Sequence, residues 1–566
     1  MLTHICLENF KAYKARTELH LAPITLLYGP NSSGKSSIIQ ALMYAYEVIA
    51  NDWLDVDQCS LSPIGLGGYW NVLNNQADFK DITFGFGYTL DENPVATKAQ
   101  REFGKMSIEA LESYEYWTDA VVSSPNGAAG PKWGYVEFTL SWSEQLNKPY
   151  VSKLGIYLQN DASTVHSDSK ISPRDKQQHI LDVVSEPSRQ QVYITNINFE
   201  HDLFFYSSEE ELELHPLEIL LKEMDVSVDP DNDALLIPLN GMRHNAKPRL
   251  GKALELSLMA DRLEEISENL AELHFSKDKD LEKKRSQLDT EQREIQANLA
   301  FLTELFSQFV ITPLHHVSTT IKHMAHIGPW RDIPERNFMP SRSHDSRRWY
   351  KGLAAWDEVY QCSESQFKLV SDWMQRLKTG YSMAREDIDS RSTISTAVNL
   401  KDLSNNSRQP ADIGVGISQL FPIVVAACSQ RVGMVFVEQP ELHIHPALQV
   451  EFGDLFCGMA SLYLHLDNRL EYEEYLTGVM GPPGCKFLIE THSEHILLRL
   501  LRRIRETSDE ECLDAPYRLY PHEVNVLYIS QENGQTTAKN LRISEDGDFL
   551  DEWPKGFFEE RAEELF

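Results

Sequence analysis

The stretch Gly29-Pro-Asn-Ser-Ser-Gly-Lys-Ser-Ser37 decides the reading of this chain. It is one complete copy of the pattern G-x-x-x-x-G-K-[ST], with Gly29, Gly34, Lys35 and Ser36 at the required places. The two glycines let the backbone turn tightly enough for N–H groups from Asn31, Ser32, Ser33, Gly34, Lys35, Ser36 and Ser37 to face phosphate oxygens. The helix that follows offers the positive end of its dipole to the same charge. Lys35 is placed for the outer phosphates and the Ser36 hydroxyl for one coordination position on Mg²⁺. The flanks agree. Ile24 to Tyr28 is an apolar run of strand length, and Ile38, Ile39, Ala41, Leu42, Ala45 and Ile49 follow at helical spacing. Strand, loop and helix together predict a site for a nucleoside triphosphate.

Working outward, 566 residues exceed one compact domain and predict roughly two to four core-burying units. Lys plus Arg number 53 against 85 Asp plus Glu, a net charge of −32. That balance excludes a broadly basic nucleic-acid surface, so any such contact needs a local patch or a basic partner. The seven cysteines are scattered without C-x-x-C spacing, as expected of reduced thiols in a cytoplasmic protein without a zinc site. No stretch approaches the roughly 18 consecutive apolar residues of a membrane span, and the N-terminus lacks a signal-peptide layout. No membrane association is expected.

The first residues, His4 to Tyr13, alternate like a strand feeding a turn, and Ile82 to Leu90 alternates again. Tyr135 to Trp142, Leu154 to Leu158 and Gln191 to Ile197 are strand-like pieces among polar loops. From Leu256 to Leu302 apolar residues recur at three- and four-residue steps, interrupted at His274 to Asp280, which predicts a short antiparallel helical hairpin. Met434 to Val437 and Phe487 to Ile489 are short apolar runs suited to the central strands of a mostly parallel sheet. The expected organisation is an α/β fold: residues 1–100 and 311–566 form the two parts of a nucleotide-binding head, with a lobe at 101–250 and the hairpin at 251–310 inserted.

Four stretches fit the rim of that sheet. Val435-Phe-Val-Glu-Gln-Pro-Glu441 is a strand ending in an acid, where a Mg²⁺-coordinating carboxylate sits. Gly414-Val-Gly-Ile-Ser-Gln419 is a small-residue turn at a helix start, able to present N–H groups and a hydroxyl to a phosphate. Leu488-Ile-Glu-Thr-His-Ser493 delivers His492 to the carboxyl edge of the sheet, where ligands of open α/β sheets gather. The fourth is His326-Ile-Gly-Pro-Trp-Arg331.

In this order the motifs resemble the ABC-type P-loop ATPase heads of the SMC, Rad50 and RecF class, and within it the OLD-like and Septu-like bacterial antiphage ATPases. The resemblance covers about 1–90 and 311–566. It implies ATP and Mg²⁺ as cofactors, and a homodimer with two ATP molecules sandwiched between subunits. It implies Gly416 and Ser418 as a signature contacting the partner's γ-phosphate, Glu438 with Ser36 on the metal, His492 as γ-phosphate sensor and Gln76 as the Gln-loop residue. Two departures stand out. Gln439 occupies the usual place of a catalytic Glu, and Gln orients water without accepting its proton, which leaves Glu441 or His492 as base or hydrolysis slow. Ser418 is not followed by two glycines.

Only about 70 residues follow His492, too few for an appended nuclease domain, and Glu545-Asp-Gly-Asp548 reads as a polar turn. The expected function is therefore an ATPase subunit of an antiphage complex that holds or releases a separate effector nuclease, within an assembly that includes nucleic acid. The competing readings are a nucleotide-gated scaffold with negligible turnover and a RecF- or Rad50-like DNA-repair ATPase using Lys283, Lys284 and Arg285 or Arg499, Arg502, Arg503 and Arg505.

Overall fold

The computed structural model describes residues 2–75, 80–89, 133–159, 178–188, 190–201, 216–229, 234–242, 245–250, 252–273, 279–336, 338–387, 396–461, 485–510, 517–532 and 534–554. Its strands, in chain order, are β1 (Leu2–Glu8), β2 (Thr17–His20), β3 (Ile24–Tyr28), β4 (Ile82–Thr89), β5 (Trp133–Ser143), β6 (Lys148–Gln159), β7 (His179–Glu186), β8 (Gln191–Thr195) and β9 (Ser227–Val228). They continue with β10 (Leu235–Pro238), β11 (Met324–Ile327), β12 (Tyr381–Asp387), β13 (Thr396–Asp402), β14 (Ser407–Arg408), β15 (Met434–Glu438), β16 (Lys486–Glu490), β17 (Val524–Glu532) and β18 (Gln535–Leu541). The chain divides into two compact units: Met1–Cys6, Val48–Asp55 and Asp78–Ser318 form one, and Leu7–Glu47, Val56–Ala77 and Thr319–Phe566 the other.

In the first unit the strands run in the order β1-β4-β5-β6-β7-β8-β10-β9, antiparallel from β4 onward. Aromatic and β-branched residues such as Trp133, Tyr135, Val136 and Phe138 are buried there, which suits a pleated surface packed on a core. The helices Ala260–Leu273 and Lys279–Lys322 follow. They meet through Arg262 on Glu291 at 2.7 Å and Gln292 on Ser267 at 3.1 Å. Most of the interrupting stretch His274 to Asp280 lies outside the described residues.

The second helix does not stop near residue 310, where the sequence placed a boundary; its 44 residues continue to Lys322. Leu302, Phe306, Val310, Leu314, Val317 and Ile321 are all buried and keep three- to four-residue steps across that point. Pro313 sits inside the helix. Half of its most apolar 18-residue window is buried, as in the core helix of a folded unit.

In the second unit six strands run in the order β11-β15-β16-β3-β17-β18, all parallel except the β17–β18 hairpin. β3 thus lies between strands more than 400 residues away: Leu26 pairs with Ile489 on one side and Val526 on the other. Every residue of β3 is buried, as expected of a parallel strand covered on both faces. The helices Val415–Ala427 and Leu353–Gln361 supply one part of that cover, where Trp356 stacks on Phe421 at 4.0 Å. Phe452 and Phe456 of Pro446–Ser461 supply another, with Phe456 against Phe487 of β16. This α/β sheet, built from both ends of the chain with the other unit inserted, is the P-loop head.

Gly29 is where the fold leaves least room. Its φ is +138°, and a Cβ there would lie 1.9 Å from the carbonyl oxygen of Ile529 on β17. Backbone against backbone cannot yield as a flexible side chain can. Gly29→Ala is expected to cost more than about 2 kcal/mol, read as a lowered melting temperature without nucleotide.

Candidate functional site

The phosphate loop leaves β3 at Tyr28 and turns through Gly29, Ser32 at φ +62° and Gly34 at φ +108° into the helix Lys35–Asn51. Short backbone bonds tighten it, with Ser33 N–H donating to the Pro30 carbonyl at 3.3 Å and Ser37 N–H to the Gly34 carbonyl at 3.1 Å. Two hydroxyls brace it from outside: Tyr13 donates to the Gly34 carbonyl and Thr536 of β18 to the Ser33 carbonyl, each at 3.2 Å. Lys35 is 3% exposed, and its Nζ donates to the Gly29 and Pro30 carbonyls at 2.9 Å. Burial lowers its pKa, and the nearby Glu490 and Glu441 charges oppose that shift.

The acid beside the loop is Glu490. The Ser36 hydroxyl donates to Glu490 Oε2 at 2.9 Å, and Lys35 Nζ lies 3.8 Å from Glu490 Oε1. β16 is the strand next to β3, and the register sets Glu490 opposite Glu438 one strand further out. The sequence assigned the metal-side carboxylate to Glu438 alone, because a strand-end acid followed by Gln-Pro-Glu carries that signature. In the fold Glu438 lies beside Glu490 and takes a hydrogen bond of its own: His326 Nε2 donates to Glu438 Oε1 at 2.8 Å. A carboxylate can only accept, so the His326 proton sits on Nε2, and Nδ1 accepts from the Ser62 hydroxyl at 3.2 Å.

The residues after Glu438 are fixed through their backbone. Gln439 adopts a left-handed φ of +47° and donates its N–H to the Glu490 carbonyl at 2.7 Å. Arg331 Nη2 donates to the carbonyls of Glu438 at 2.7 Å and Gln439 at 3.4 Å. Its backbone meanwhile clamps the Gln419 side chain, with bonds of 3.2 and 2.6 Å. Burial lowers the Arg331 pKa to about 10 against the pull of Glu441 and Glu438, and its Nε and Nη1 have no partner. Glu441 uses both oxygens on the segment after β16: Oε2 accepts from Thr491 Oγ1 at 2.6 Å and Oε1 from His492 N–H at 2.9 Å. Burial, then Lys35, lowers the His492 pKa, which favours a neutral imidazole.

Ser418 is not where the sequence put it. It is fully buried in the second turn of Val415–Ala427, and its hydroxyl has no partner. The exposed part of that helix start is Gly414 and Val415, with Gly416 partly exposed beside the His443 carbonyl. Gln76 lies outside the described residues. The basic run on Glu494–Ser508 is paired within the chain: Arg499 and Arg503 hold Asp454 at 2.6 and 2.8 Å, Arg502 holds Glu506 and Arg505 holds Asp548. Glu545 to Asp548 forms a turn closed by Gly547 N–H on the Ser544 carbonyl.

Glu490 and Arg331 both stood inside quoted motifs without a role, and Ser62 carried no local signal at all. Only adjacency of strands could have raised Glu490, since its partners are 454 residues away.

For a cation the site offers the Ser36 hydroxyl and the carboxylates of Glu490 and Glu438, all hard oxygens. Among the described residues no three His, Cys, Asp or Glu side chains are grouped to hold a metal by themselves. That donor set fits Mg²⁺, which keeps waters and takes nucleotide phosphate oxygens rather than a full protein cage.

A family model described as AAA ATPase domain matches residues 1–497, and a second, described as protein of unknown function (DUF3696), matches residues 519–566. No curated protein matches the chain. Solved structures similar to it include the SmcHead bound to the C-winged helix domain of ScpA, at 8% identity and TM-score 0.36, covering 96% of this chain and 98% of that one. A second is the Smc head domain with an extended coiled coil bound to the C-terminal domain of ScpA from Pyrococcus furiosus, at 9% identity and TM-score 0.34, covering 100% and 98%. A third is the SMC head domain from Thermotoga maritima, at 7% identity and TM-score 0.33, covering 96% and 99%.

Burial raises the Glu490 pKa, only partly offset by Lys35 and the Ser36 hydrogen bond. A carboxyl whose folded pKa lies above its unfolded value contributes stability at low pH that is lost as pH rises through the folded pKa. Glu490→Gln is therefore expected to melt higher than the parent at pH 8 without nucleotide, the difference shrinking toward pH 4. In Mg²⁺·ATP turnover the same substitution should cost about 100-fold.

Proposed function

Because the chain belongs to the AAA ATPase domain family, we propose that it is a slow Mg²⁺·ATP hydrolase whose nucleotide state sets how two copies associate. One observation carries the slow step: no free carboxylate follows Glu438. Gln439 stands in that place with its backbone pinned by Arg331 and Glu490, and both Glu441 oxygens already hold Thr491 and His492. A water near the γ-phosphate is then oriented by Gln439 and finds no strong base, while neutral His492 remains the sensor of that phosphate.

On this reading ATP binds with Ser36 and Glu490 nearest the metal and Glu438 behind them. The exposed turn Gly414 to Gly416 meets the nucleotide of the second copy, which makes ATP the glue of a homodimer and its hydrolysis the release. A long-lived closed dimer suits a subunit that holds an effector, such as a nuclease, and lets it go on turnover. The motif order supports placing that complex in bacterial antiphage defence in the cytoplasm, with any nucleic acid supplied by partners. Pairing of Arg499, Arg502, Arg503 and Arg505 with carboxylates of the same chain disfavours a DNA-repair ATPase reading through that helix.

Light scattering with and without Mg²⁺·ATP, together with phosphate release, tests the proposal. The parent is expected to double in mass with ATP and release phosphate slowly, Gln439→Glu to release it at least about tenfold faster, and Lys35→Ala to do neither. Fast release by the parent, unchanged or reduced in Gln439→Glu, overturns it.

A further inference from the structure

A cavity of about 500 Å³ lies in the second unit between residues 58–65 and 345–353. Its charged lining is Arg347, Arg348 and Lys351 against a single carboxylate, Asp345. That balance reverses the chain's own, in which acids outnumber Lys and Arg by 85 to 53. Arg347 commits Nε and Nη2 to Asp345, and Arg348 commits Nε and Nη2 to Asp357 behind the wall. Each guanidinium keeps Nη1 without a hydrogen bond, and Lys351 only reaches Asp332 at 3.4 Å. Planar guanidinium edges and an ammonium around a concave space are the donors that phosphate-type oxyanions take.

Ser62 joins this cavity to the nucleotide site. It lines the wall, is 1% exposed, and its Oγ lies 3.2 Å from His326 Nδ1, while His326 Nε2 lies 2.8 Å from Glu438 Oε1. His326 is itself fixed between Tyr350 and Phe436, with ring centroids 4.9 and 5.1 Å away.

We propose that this cavity binds a small phosphate-type oxyanion, free or as the phosphate of a mononucleotide.

Calorimetry tests the binding on the full chain carrying Lys35→Ala, which disables the phosphate loop, with inorganic phosphate and AMP as separate probes. One or both should bind, and Arg347→Gln or Lys351→Gln should weaken that binding at least tenfold, with unchanged circular dichroism melts because both side chains are exposed. Phosphate binding alone identifies a free anion and AMP binding alone a mononucleotide. Absence of binding by either, or binding indifferent to both substitutions, overturns the site.

Discussion

The contact between Ser36 and Glu490 is the constraint on which the nucleotide site depends. It ties the first turn of the helix after the phosphate loop to the end of the neighbouring strand, with Lys35 close by. Taking the Glu490 carboxylate out of water is unfavourable, and burial raises its pKa accordingly. What balances it is the pairing with an ammonium and a hydroxyl. A site held by opposed charges in this way is sensitive to whatever fills it.

Around that contact the backbone does most of the positioning. Arg331 holds two consecutive carbonyls, Glu490 offers its carbonyl to Gln439, and Glu441 caps the turn that carries His492. These bonds link the ends of β11, β15 and β16, so a shift at one acid is felt at the others. Arg331 also joins the rim to the helix Val415–Ala427 through Gln419. A buried guanidinium with two donors unpartnered is costly, and such costs persist where the surroundings hold them in place. The segment His326 to Arg331 thus acts as a template for Glu438 and Gln439, with its histidine on the side chain and its arginine on the main chain.

The C-terminal hairpin completes the loop from the other side. Ile529 leaves room only for a glycine at position 29, and Thr536 anchors the Ser33 carbonyl. Tyr28 packs edge-on against Trp553, and its hydroxyl donates to the Ser493 carbonyl. Residues 519–566, which match a separate family model, therefore contribute to the same sheet as the phosphate loop, through β17 and β18.

The sequence by itself determined the strand, phosphate loop and helix from Ile24 to Asn51, the strands that end in Glu438 and Glu490, and the assembly of one sheet from both ends of the chain. Those features are local: a glycine pattern, an apolar run of five residues and a helical period each follow from bonding within a few positions. Only the tertiary structure decided which strand is neighbour to which, and with it that Glu490 and not Glu438 receives the Ser36 hydroxyl. It also decided that Ser418 turns into the core, and that Ser62 reaches His326 from 264 residues away. Partners so distant in sequence leave no periodicity to read, because strand order and packing depth are settled by the cooperative burial of the whole sheet.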